Sequence, residues 1–309
     1  MKDPKPVRMR IEWPTVVLIV VCYGIWALGT TWAAGLWLPL GMALTILAGA
    51  LHSSLSHEVL HGHPFRNRWL NEALVFPALT LFIPYIRFRD THLAHHHDAL
   101  LTDPYDDPES NYLDPTVWER LPWVVQVLLN FNNTLIGRLL IGPAVSQAAF
   151  MLGDWRKARA GDGSVVLGWL WHIPALIPVV LWLVFVSQMP FWAYALSAYA
   201  AISILKIRTF LEHQAHERAR GRTVIIEDRG LLAFLILNNN LHVVHHMHPR
   251  LPWYRLPKTY FANRDRYLAR NNGYRYKSYA EVFRRYLFKA KDPVPHPLYP
   301  AAKTGAPAE

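Results

Sequence analysis

The stretch GLWLPLGMALTILAGALHSSLSHEVLHGH, residues 35–63, joins a long apolar run to a histidine-rich end. At about 1.5 Å per helical residue, a run of this length crosses the hydrocarbon core of a bilayer. The run ends at His57 and His61, which are four residues apart and therefore share one face of a continuing helix. The stretch predicts a transmembrane helix, residues 35–56, that delivers two metal-binding side chains to the membrane surface.

Three further apolar runs predict an all-α, polytopic membrane protein. The first reads WPTVVLIVVCYGIWALGTTWA at residues 13–33, and the others occupy residues 165–186 and 191–210. Uncharged turns join the four runs into two hairpins. We therefore expect a single membrane domain, residues 13–292, with about four transmembrane helices and a histidine-rich helical cap. A short tail, residues 1–12, precedes this domain, and the Pro- and Ala-rich segment 293–309 is expected to be disordered.

The basic residues predict the orientation of these helices. Lys and Arg exceed Asp and Glu by ten, and they lie in the N-terminal tail, the central section and the C-terminal third. Membrane proteins collect such residues on the cytoplasmic side, which accounts for the charge without invoking nucleic-acid binding. We expect a multi-pass protein of the bacterial cytoplasmic membrane, with both termini and all histidine clusters cytosolic.

In the polar section 58–164, amphipathic stretches 73–86 and 121–152 are expected to lie in the interface or to cover a cavity.

The histidines are clustered rather than scattered. All but His52, His172 and His296 of the 16 histidines fall in HEVLHGH, in HLAHHH (residues 92–97), in HVVHHMH (residues 242–248) or in FLEHQAHE (residues 210–217). Within HLAHHH and HVVHHMH, three histidines follow the i, i+3, i+4 spacing of one helical face. Neutral imidazole binds iron, zinc, copper and nickel. The three clusters that carry this helical spacing offer eight such nitrogens, more than one ion accepts, which predicts two ions.

Two other functions fit part of the pattern. HEVLH also matches the H-E-x-x-H motif of zinc proteases, in which Glu58 would be the general base. A catalytic zinc site uses about three protein ligands, so a membrane protease would leave the other two clusters unexplained. A membrane sensor that keeps a metal site without catalysis is a further alternative.

The cysteine content limits the redox chemistry. Cys22, inside an apolar run, is the single cysteine. An internal disulfide and any site held by several cysteines, including an iron–sulfur cluster, are therefore excluded. If the protein carries out redox chemistry, its electrons must come from another protein.

The histidine motifs in combination resemble those of the membrane fatty-acid desaturase superfamily, which includes acyl desaturases, lipid hydroxylases and carotenoid ketolases. The family has three boxes, H-x(3–4)-H, H-x(2–3)-H-H and H/Q-x(2–3)-H-H. This chain offers H-x3-H from residue 57, H-x2-H-H from residue 92 and H-x2-H-H from residue 242. The flanking segments TDPYDDPES, residues 102–110, and HHMHPRLPWYRLP, residues 245–257, agree as well. The resemblance covers residues 13–257.

This resemblance implies a cytosolic di-iron centre that uses O2 to attack an unactivated C–H bond of a lipid. Some relatives add a lone histidine after the fourth crossing; His213 stands there, with His216 as a rival. Some acyl desaturases carry an asparagine one turn earlier, where this chain has Thr209. The implied ligands are His57, His61, His92, His95, His96, His213, His242, His245 and His246.

Residues beside the boxes are candidates for orienting the ligands. Glu58 and Glu212 could accept the second N–H of a ligating imidazole. Asp103, Asp106, Asp107 and Glu109 could do the same or cap a loop. Asn238, with the two asparagines after it, could cap the third-box helix or contact an iron-bound water. The neighbouring His63, His97 and His248 are expected to be outer or surface residues.

The reaction has two open outcomes. Removal of two hydrogens gives an alkene, whereas return of an oxygen gives an alcohol, so desaturase and hydroxylase both remain. We favour a fatty-acyl or lipid chain as the substrate, with a carotenoid or a lipid head group as the alternative. The basic cytosolic surface suits an acidic electron carrier, a ferredoxin or similar protein with its reductase.

Overall fold

The computed structural model describes residues 11–97 and 99–299, and this part of the chain is mostly helical. The helices are α1 (Trp13–Leu28), α2 (Ala34–Leu36), α3 (Leu38–Leu60), α4 (Arg68–Val75), α5 (Tyr85–His95), α6 (Pro115–Arg120), α7 (Trp123–Asn132), α8 (Leu135–Leu140), α9 (Gly142–Arg159), α10 (Gly163–Phe185), α11 (Phe191–Thr209), α12 (Leu231–Leu235), α13 (His242–Met247), α14 (Leu256–Ala262), α15 (Arg264–Arg270) and α16 (Tyr279–Tyr286). A π-helical turn, Gly29–Ala33, joins α1 to α2, and short 3₁₀ turns occupy Ala219–Gly221 and Trp253–Arg255. Two short parallel strands, β1 (Ile225–Ile226) and β2 (Arg275–Tyr276), form the sheet of this region.

Three helical segments among the described residues are long and apolar enough to cross a membrane: Trp13–Leu36, Leu38–Leu60 and Gly163–Phe185. Their bounds lie within a few residues of the predicted crossings. The helix α11 matches the fourth predicted crossing in position, but it falls short of the apolar character of the other three and carries Lys206 and Arg208 in its last turn. A fourth crossing and the orientation of the helices therefore stay predictions.

The two hairpin turns contact each other at one end of the helices. The carbonyl oxygen of Thr30, in the π-helical turn, accepts hydrogen bonds from the Gln188 N–H at 2.9 Å and the Ser187 hydroxyl at 2.9 Å. The Thr30 hydroxyl accepts a third from the indole N–H of Trp182 at 2.9 Å. These contacts satisfy polar groups of two turns that carry no charged side chain. The histidine clusters lie at the opposite end of the same helices.

Close packing of α3 against α11 aligns the ends that carry functional residues. A Cβ on Gly49 would lie 2.8 Å from the Cβ of Ala201, so only glycine permits this approach of the two helices. The same helix α3 packs against α1. Since α3 and α11 run towards the same end, their last turns bring His57 and the segment after Thr209 together.

The outer face of α10 is a continuous apolar surface. Leu167, Leu170, Ile173, Ile177 and Leu181 are all exposed, and their spacing places them on one side of the helix. The helix also contains internal prolines, which transmembrane helices tolerate when neighbouring groups satisfy the freed carbonyls. This surface fits contact with lipid chains.

A buried ion pair fixes α5 to α9. Arg87 and Asp154 are joined by two hydrogen bonds of 2.8 Å, and their side chains are only 5% and 6% exposed. Asp154 also accepts the indole N–H of Trp169, on α10, at 2.9 Å. A buried charge needs such a partner and further hydrogen bonds to offset its loss of hydration. The pair therefore locks the helix that bears the second histidine cluster.

A second ion-pair cluster holds the C-terminal region together. Glu227, just after β1, pairs with Arg264 at 2.5 Å and Arg275 at 2.6 Å, and it accepts the hydroxyl of Tyr260 at 2.7 Å. Partial burial raises the pKa of Glu227, but hydrogen bonds from Arg264, Tyr260 and Arg275 outweigh that effect and lower the pKa to about 2. The ionised carboxylate thus ties β1 to β2 and to the helices that follow.

The ordered chain extends past the predicted domain boundary at residue 292. Val294 is buried, its carbonyl oxygen accepts the Leu113 N–H at 2.9 Å, and the His296 N–H donates to the Leu113 carbonyl at 2.8 Å. These contacts join Val294 and His296 to the helical domain, within the segment that composition predicts to be disordered. Residues 300–309, and residues 1–10 of the predicted N-terminal tail, lie outside the described residues.

Candidate metal centre

The first pair of histidines stands at the end of α3. His57 lies in its last turn and His61 immediately follows it, with ring centroids 5.0 Å apart and both side chains buried. The helix continues four residues beyond the predicted end at residue 56. The i, i+4 spacing therefore places both imidazoles on one helical face, as the sequence predicted.

The other two clusters lie on short helices that face this end. The helix α5 finishes with His92 and His95, and His96 follows directly. The helix α13 begins at His242 and carries His245 and His246. Four of these histidine side chains are buried: His92, His95, His242 and His245. Polar side chains are seldom buried unless they bind a polar partner or a metal ion.

His213 joins the centre from the segment after α11. Its backbone pairs with Thr223, and its carbonyl oxygen accepts the ammonium of Lys291 at 2.8 Å. This anchoring places the Nε2 atom of His213 2.9 Å from Nε2 of His95 and 3.2 Å from Nε2 of His242.

The nine predicted ligands form two adjacent groups. Within each group the candidate ligand atoms all lie within 4.8 Å of one another. One group contains His57, His61, His92, His96 and His245, and the other contains His95, His213, His242 and His246. The groups touch, because the rings of His96 and His246 stack with centroids 4.4 Å apart. The second and third boxes each contribute to both groups.

The ring nitrogens within the groups point at one another. Nε2 of His96 lies 3.0 Å from Nε2 of His92 and 3.2 Å from Nε2 of His245. Nε2 of His57 and Nε2 of His61 are buried without a hydrogen-bond partner among the described residues. Buried polar atoms usually have a partner, and a metal ion between converging nitrogens would supply it. The donor set is all imidazole, which suits iron, zinc, copper or nickel.

Two carboxylates and one amide lie on the outer side of the two groups and contact the Nδ1 atoms of three rings. Nδ1 of His92 lies 3.0 Å from Glu109, Nδ1 of His95 lies 2.7 Å from Asp107, and Nδ1 of His242 lies 2.9 Å from the side-chain oxygen of Asn239. A ligating histidine commonly donates its second N–H in this way. These contacts leave Nε2 of each ring directed inwards.

The protonation of the rings favours metal binding. Burial lowers the pKa of His61, His213 and His245, and neighbouring imidazoles lower it further, so these rings are neutral. Burial also lowers the pKa of His95, but the charge of Glu109 and the hydrogen bond with Asp107 outweigh it and raise the pKa to about 9. A metal ion would displace that proton, because only the neutral nitrogen binds.

Of the four acidic candidates in the loop after the second box, Asp107 and Glu109 face ligand histidines and Asp103 and Asp106 do not. Asp107 is buried and accepts the backbone N–H of Thr102 at 2.9 Å as well as facing His95. Asp103 instead caps a turn by accepting the Tyr105 and Asp106 N–H groups, and the Asp106 side chain is exposed. Neither Asp103 nor Asp106 contacts a histidine of the two groups among the described residues.

Of the three candidate asparagines before α13, Asn239 rather than Asn238 contacts a ligand histidine. Asn238 donates to the carbonyl oxygen of Trp253 at 3.2 Å rather than contacting a ligand, and Asn239 contacts His242. Leu237 and Asn238 both have positive φ, 53° and 57°. This left-handed turn redirects the chain just before the helix, so the contacting residue is Asn239.

The two predicted glutamates have different positions. Glu212 pairs with Arg208 at 2.6 Å and lies 3.7 Å from Nδ1 of His242, close to the centre. Glu58 faces away: it accepts the Trp253 N–H at 3.0 Å and lies 3.8 Å from His63. His63 is in turn hydrogen-bonded to Glu12 at 2.8 Å, a partner that sequence reasoning did not identify.

The remaining histidines do not join either group of candidate ligands. His216 lies at the surface, where its ring contacts the Arg218 N–H at 3.0 Å and the Asn272 amide at 3.0 Å. His172 contacts the carbonyl oxygen of Leu81 at 2.8 Å inside the helical bundle. Of the two rivals for the ninth position, His213 is therefore the one whose ring meets the other ligands.

A cavity of about 560 Å³ reaches the centre from between the helices. His95, His213, Asp107 and Glu109 line its inner end. Apolar residues of the segment 75–83 and residues of α9 form much of its wall, so both predicted amphipathic stretches, 73–86 and 121–152, line a cavity. The cavity would give a chain-like molecule access to the metal centre.

Comparison with known proteins places these features in a family. The model of the family described as "Fatty acid desaturase" matches residues 30–279. A beta-carotene ketolase of Paracoccus sp. (strain N81106 / MBIC 01143) is 27% identical over 241 residues, which cover 75% of this chain and 76% of that protein. A beta-carotene ketolase of Paracoccus sp. (strain PC1) is 26% identical over 258 residues, 79% of each chain.

Proposed function

The chain belongs to the fatty acid desaturase family, and from that premise we propose that it is a membrane-bound, non-haem di-iron oxidoreductase that desaturates or hydroxylates a fatty-acyl or lipid chain with O2. The family and the three apolar helices support a membrane protein. The single observation that carries the proposal is the meeting of nine imidazoles in two touching groups.

The nine histidines named above would hold two iron ions. When bound, such a centre supplies O2 activation against an unactivated C–H bond. Asp107, Glu109 and Asn239 orient His95, His92 and His242 through their Nδ1 atoms and keep Nε2 free for the metal. The cavity would bring the substrate chain to the side of the centre that His95 and His213 line.

A carotenoid is the second candidate substrate class. The two relatives described above are beta-carotene ketolases, at 26–27% identity. Their similarity supports insertion of oxygen, and desaturation and oxygen insertion both begin with removal of a hydrogen from carbon. The proposal therefore covers desaturation, hydroxylation and ketone formation by the same centre, and the product identifies which one operates.

The zinc-protease alternative lacks its general base. In that mechanism Glu58 would have to act on a water beside His57 and His61. The carboxylate instead accepts the Trp253 N–H and lies beside His63. The remaining ligands would also exceed the three that a catalytic zinc uses.

We also propose that the centre faces the cytosol of a bacterial cell and receives electrons from an external ferredoxin-like carrier. The basic N-terminal, central and C-terminal segments support this orientation by the positive-inside rule. They would also attract an acidic carrier.

The test is lipid mass spectrometry of a heterologous bacterial host that also makes β-carotene, with and without the protein. A species two hydrogens lighter identifies a desaturase, and a species heavier by one oxygen identifies a hydroxylase. A species that has gained one oxygen and lost two hydrogens identifies a ketone-forming enzyme. His95→Ala should abolish the product and iron binding at its group, whereas the matched control His216→Ala should retain both. Stoichiometric zinc without iron, or full activity of His95→Ala, would overturn the proposal.

A further inference from the structure

Four basic side chains line the cavity: Arg138, Lys157, Lys206 and Arg208. Arg208 pairs with Glu212 and Lys157 is exposed to solvent, which leaves Arg138 and Lys206 as the cations of interest. Arg138 comes from α8 and is only 5% exposed, with its guanidinium 5.7 Å from the ring centre of Phe210. Lys206 comes from the last turn of α11 and lines the same cavity. The helices α8 and α11 pack together, and the positive charges of Arg138 and Lys206 repel each other.

Neutral groups hold the Arg138 guanidinium in place. Its Nε–H donates to the carbonyl oxygen of Asn132 at 3.1 Å, Nη1 donates to the side chain of Asn111 at 2.7 Å, and Nη2 donates to the side chain of Asn133 at 3.4 Å. A guanidinium has five N–H donors, so one on each Nη remains available. Burial lowers the pKa of Arg138 to about 10, and the group is still charged at neutral pH.

The carboxylates of the cavity wall already have partners of their own. The pairs are Asp107 with His95 at 2.7 Å, Glu109 with His92 at 3.0 Å, Asp154 with Arg87 at 2.8 Å and Glu212 with Arg208 at 2.6 Å. Among residues 11–97 and 99–299, no carboxylate lies within 4.0 Å of the charged nitrogens of Arg138 or Lys206. Two neighbouring cations therefore line the cavity without a carboxylate in direct contact, and Glu109 and Glu212 attract Lys206 only from beyond salt-bridge distance.

We propose that Arg138 and Lys206 bind the anionic head of an amphiphilic substrate, a carboxylate or a phosphate monoester, whose apolar chain occupies the rest of the cavity. This inference rests on the proposed function and narrows its substrate class. Two N–H groups on one side of a guanidinium match the oxygens of a carboxylate or phosphate. Burying a charge without a partner is costly, so an anion entering here is favoured over a neutral molecule.

A carotene would fit this site less well. As a hydrocarbon it has no group that could accept a hydrogen bond from Arg138 or Lys206, and it would cover both charges without compensating them. The apolar part of the wall, which includes Val75, Leu79 and Ile83, accepts either kind of chain. The cation pair is therefore the feature that separates an ionised acyl lipid from a carotenoid.

The test is equilibrium binding of four radiolabelled probes to the purified full-length protein in lipid nanodiscs, without turnover. The probes are palmitate, hexadecyl phosphate, methyl palmitate and β-carotene. At least one of the two anions should bind about 10-fold or more tightly than methyl palmitate, and the tighter anion identifies the head group. Lys206→Met and Arg138→Gln should each weaken that anion about 10- to 100-fold, as expected for a lost charged hydrogen bond. Binding of methyl palmitate should stay unchanged.

Matched controls make the result decisive. Arg120 is exposed and lies off the cavity, so Arg120→Gln removes the same charge without effect on either anion. Should Arg138→Gln fail to fold, Lys206→Met alone decides. Equal affinity for palmitate and methyl palmitate, tighter binding of β-carotene, or anion binding that both variants leave unchanged would overturn the inference. A protein that binds iron and oxidises β-carotene would retain the proposed oxidoreductase while refuting the anion site.

Discussion

Replacing Asp107 with asparagine is expected to weaken metal binding at one of the two histidine groups about 10- to 100-fold. The Asp107 carboxylate faces Nδ1 of His95 at 2.7 Å and accepts the N–H groups of Thr102 and Glu109, each at 2.9 Å. An asparagine oxygen can replace only one carboxylate oxygen, so the amide nitrogen must face a backbone N–H donor. The substitution also removes the negative charge that holds His95 in place.

The magnitude follows from the role of outer partners in metal sites. Loss of a hydrogen-bonding partner of a ligating histidine typically costs 10- to 100-fold in metal affinity, or about 1.4–2.8 kcal/mol. The effect should fall on the group of His95, His213, His242 and His246, because the Asp107 carboxylate contacts no ring of the other group in the described part of the chain.

The assay is iron retention during titration with a competing chelator, with bound metal counted per chain. The variant should lose one ion at a lower chelator concentration than the wild type and the second ion later. Asp106→Asn is the matched control, since it makes the same change one position earlier on an exposed side chain. Equal retention by Asp107→Asn and the wild type would refute the assignment of Asp107 as the residue that positions His95.

Three further predictions address stability, pH and the ligand set. Asp154→Ala leaves the Arg87 charge buried without its partner, so the free energy of unfolding in detergent should fall by about 3–5 kcal/mol; a loss below about 1 kcal/mol would contradict it. The pKa of Glu227 is lowered to about 2 in the folded protein, so its contribution to stability is present above pH 4.5, the ordinary pKa, and is lost as the pH falls towards 2. Thermal unfolding of Glu227→Gln should therefore decline less than that of the wild type over that range, and parallel curves would contradict this. His213→Ala should lose one iron per chain whereas His216→Ala should keep two, and metal analysis that shows the reverse would exchange their roles.

The sequence predicted the helices that apolar length determines. Crossings expected at residues 13–33, 35–56 and 165–186 coincide with helices to within a few residues, because a continuous apolar run has few alternatives in a bilayer. The helix that ends at Thr209 is less apolar than these three, because its final turn contains Lys206 and Arg208, and its crossing stays a prediction. The spacing also predicted which histidines lie side by side, because two histidines at i and i+4 share one helical face.

The contacts around the boxes could not be predicted from spacing. Four acidic residues lie within residues 103–109, and which of them faces a histidine depends on the path of an irregular loop. Thr102 has φ of 70°, and this turn sends Asp107 inwards while Asp106 points to solvent. The selection of Asn239 over Asn238 has a similar local cause. The pairing of Glu12 with His63 joins positions 51 residues apart, so only the folded chain reveals it.

The division of the second and third boxes between two groups has a consequence for the spacing of the metals. His95 and His96 are consecutive, yet they belong to different groups, and His245 and His246 are divided in the same way. If two ions bind, one in each group, α5 and α13 would each hold ligands of both, so the placement of these two helices would set the separation of the two groups. A displacement of either helix would therefore move ligands of both groups together, and neither group could be altered by that helix alone.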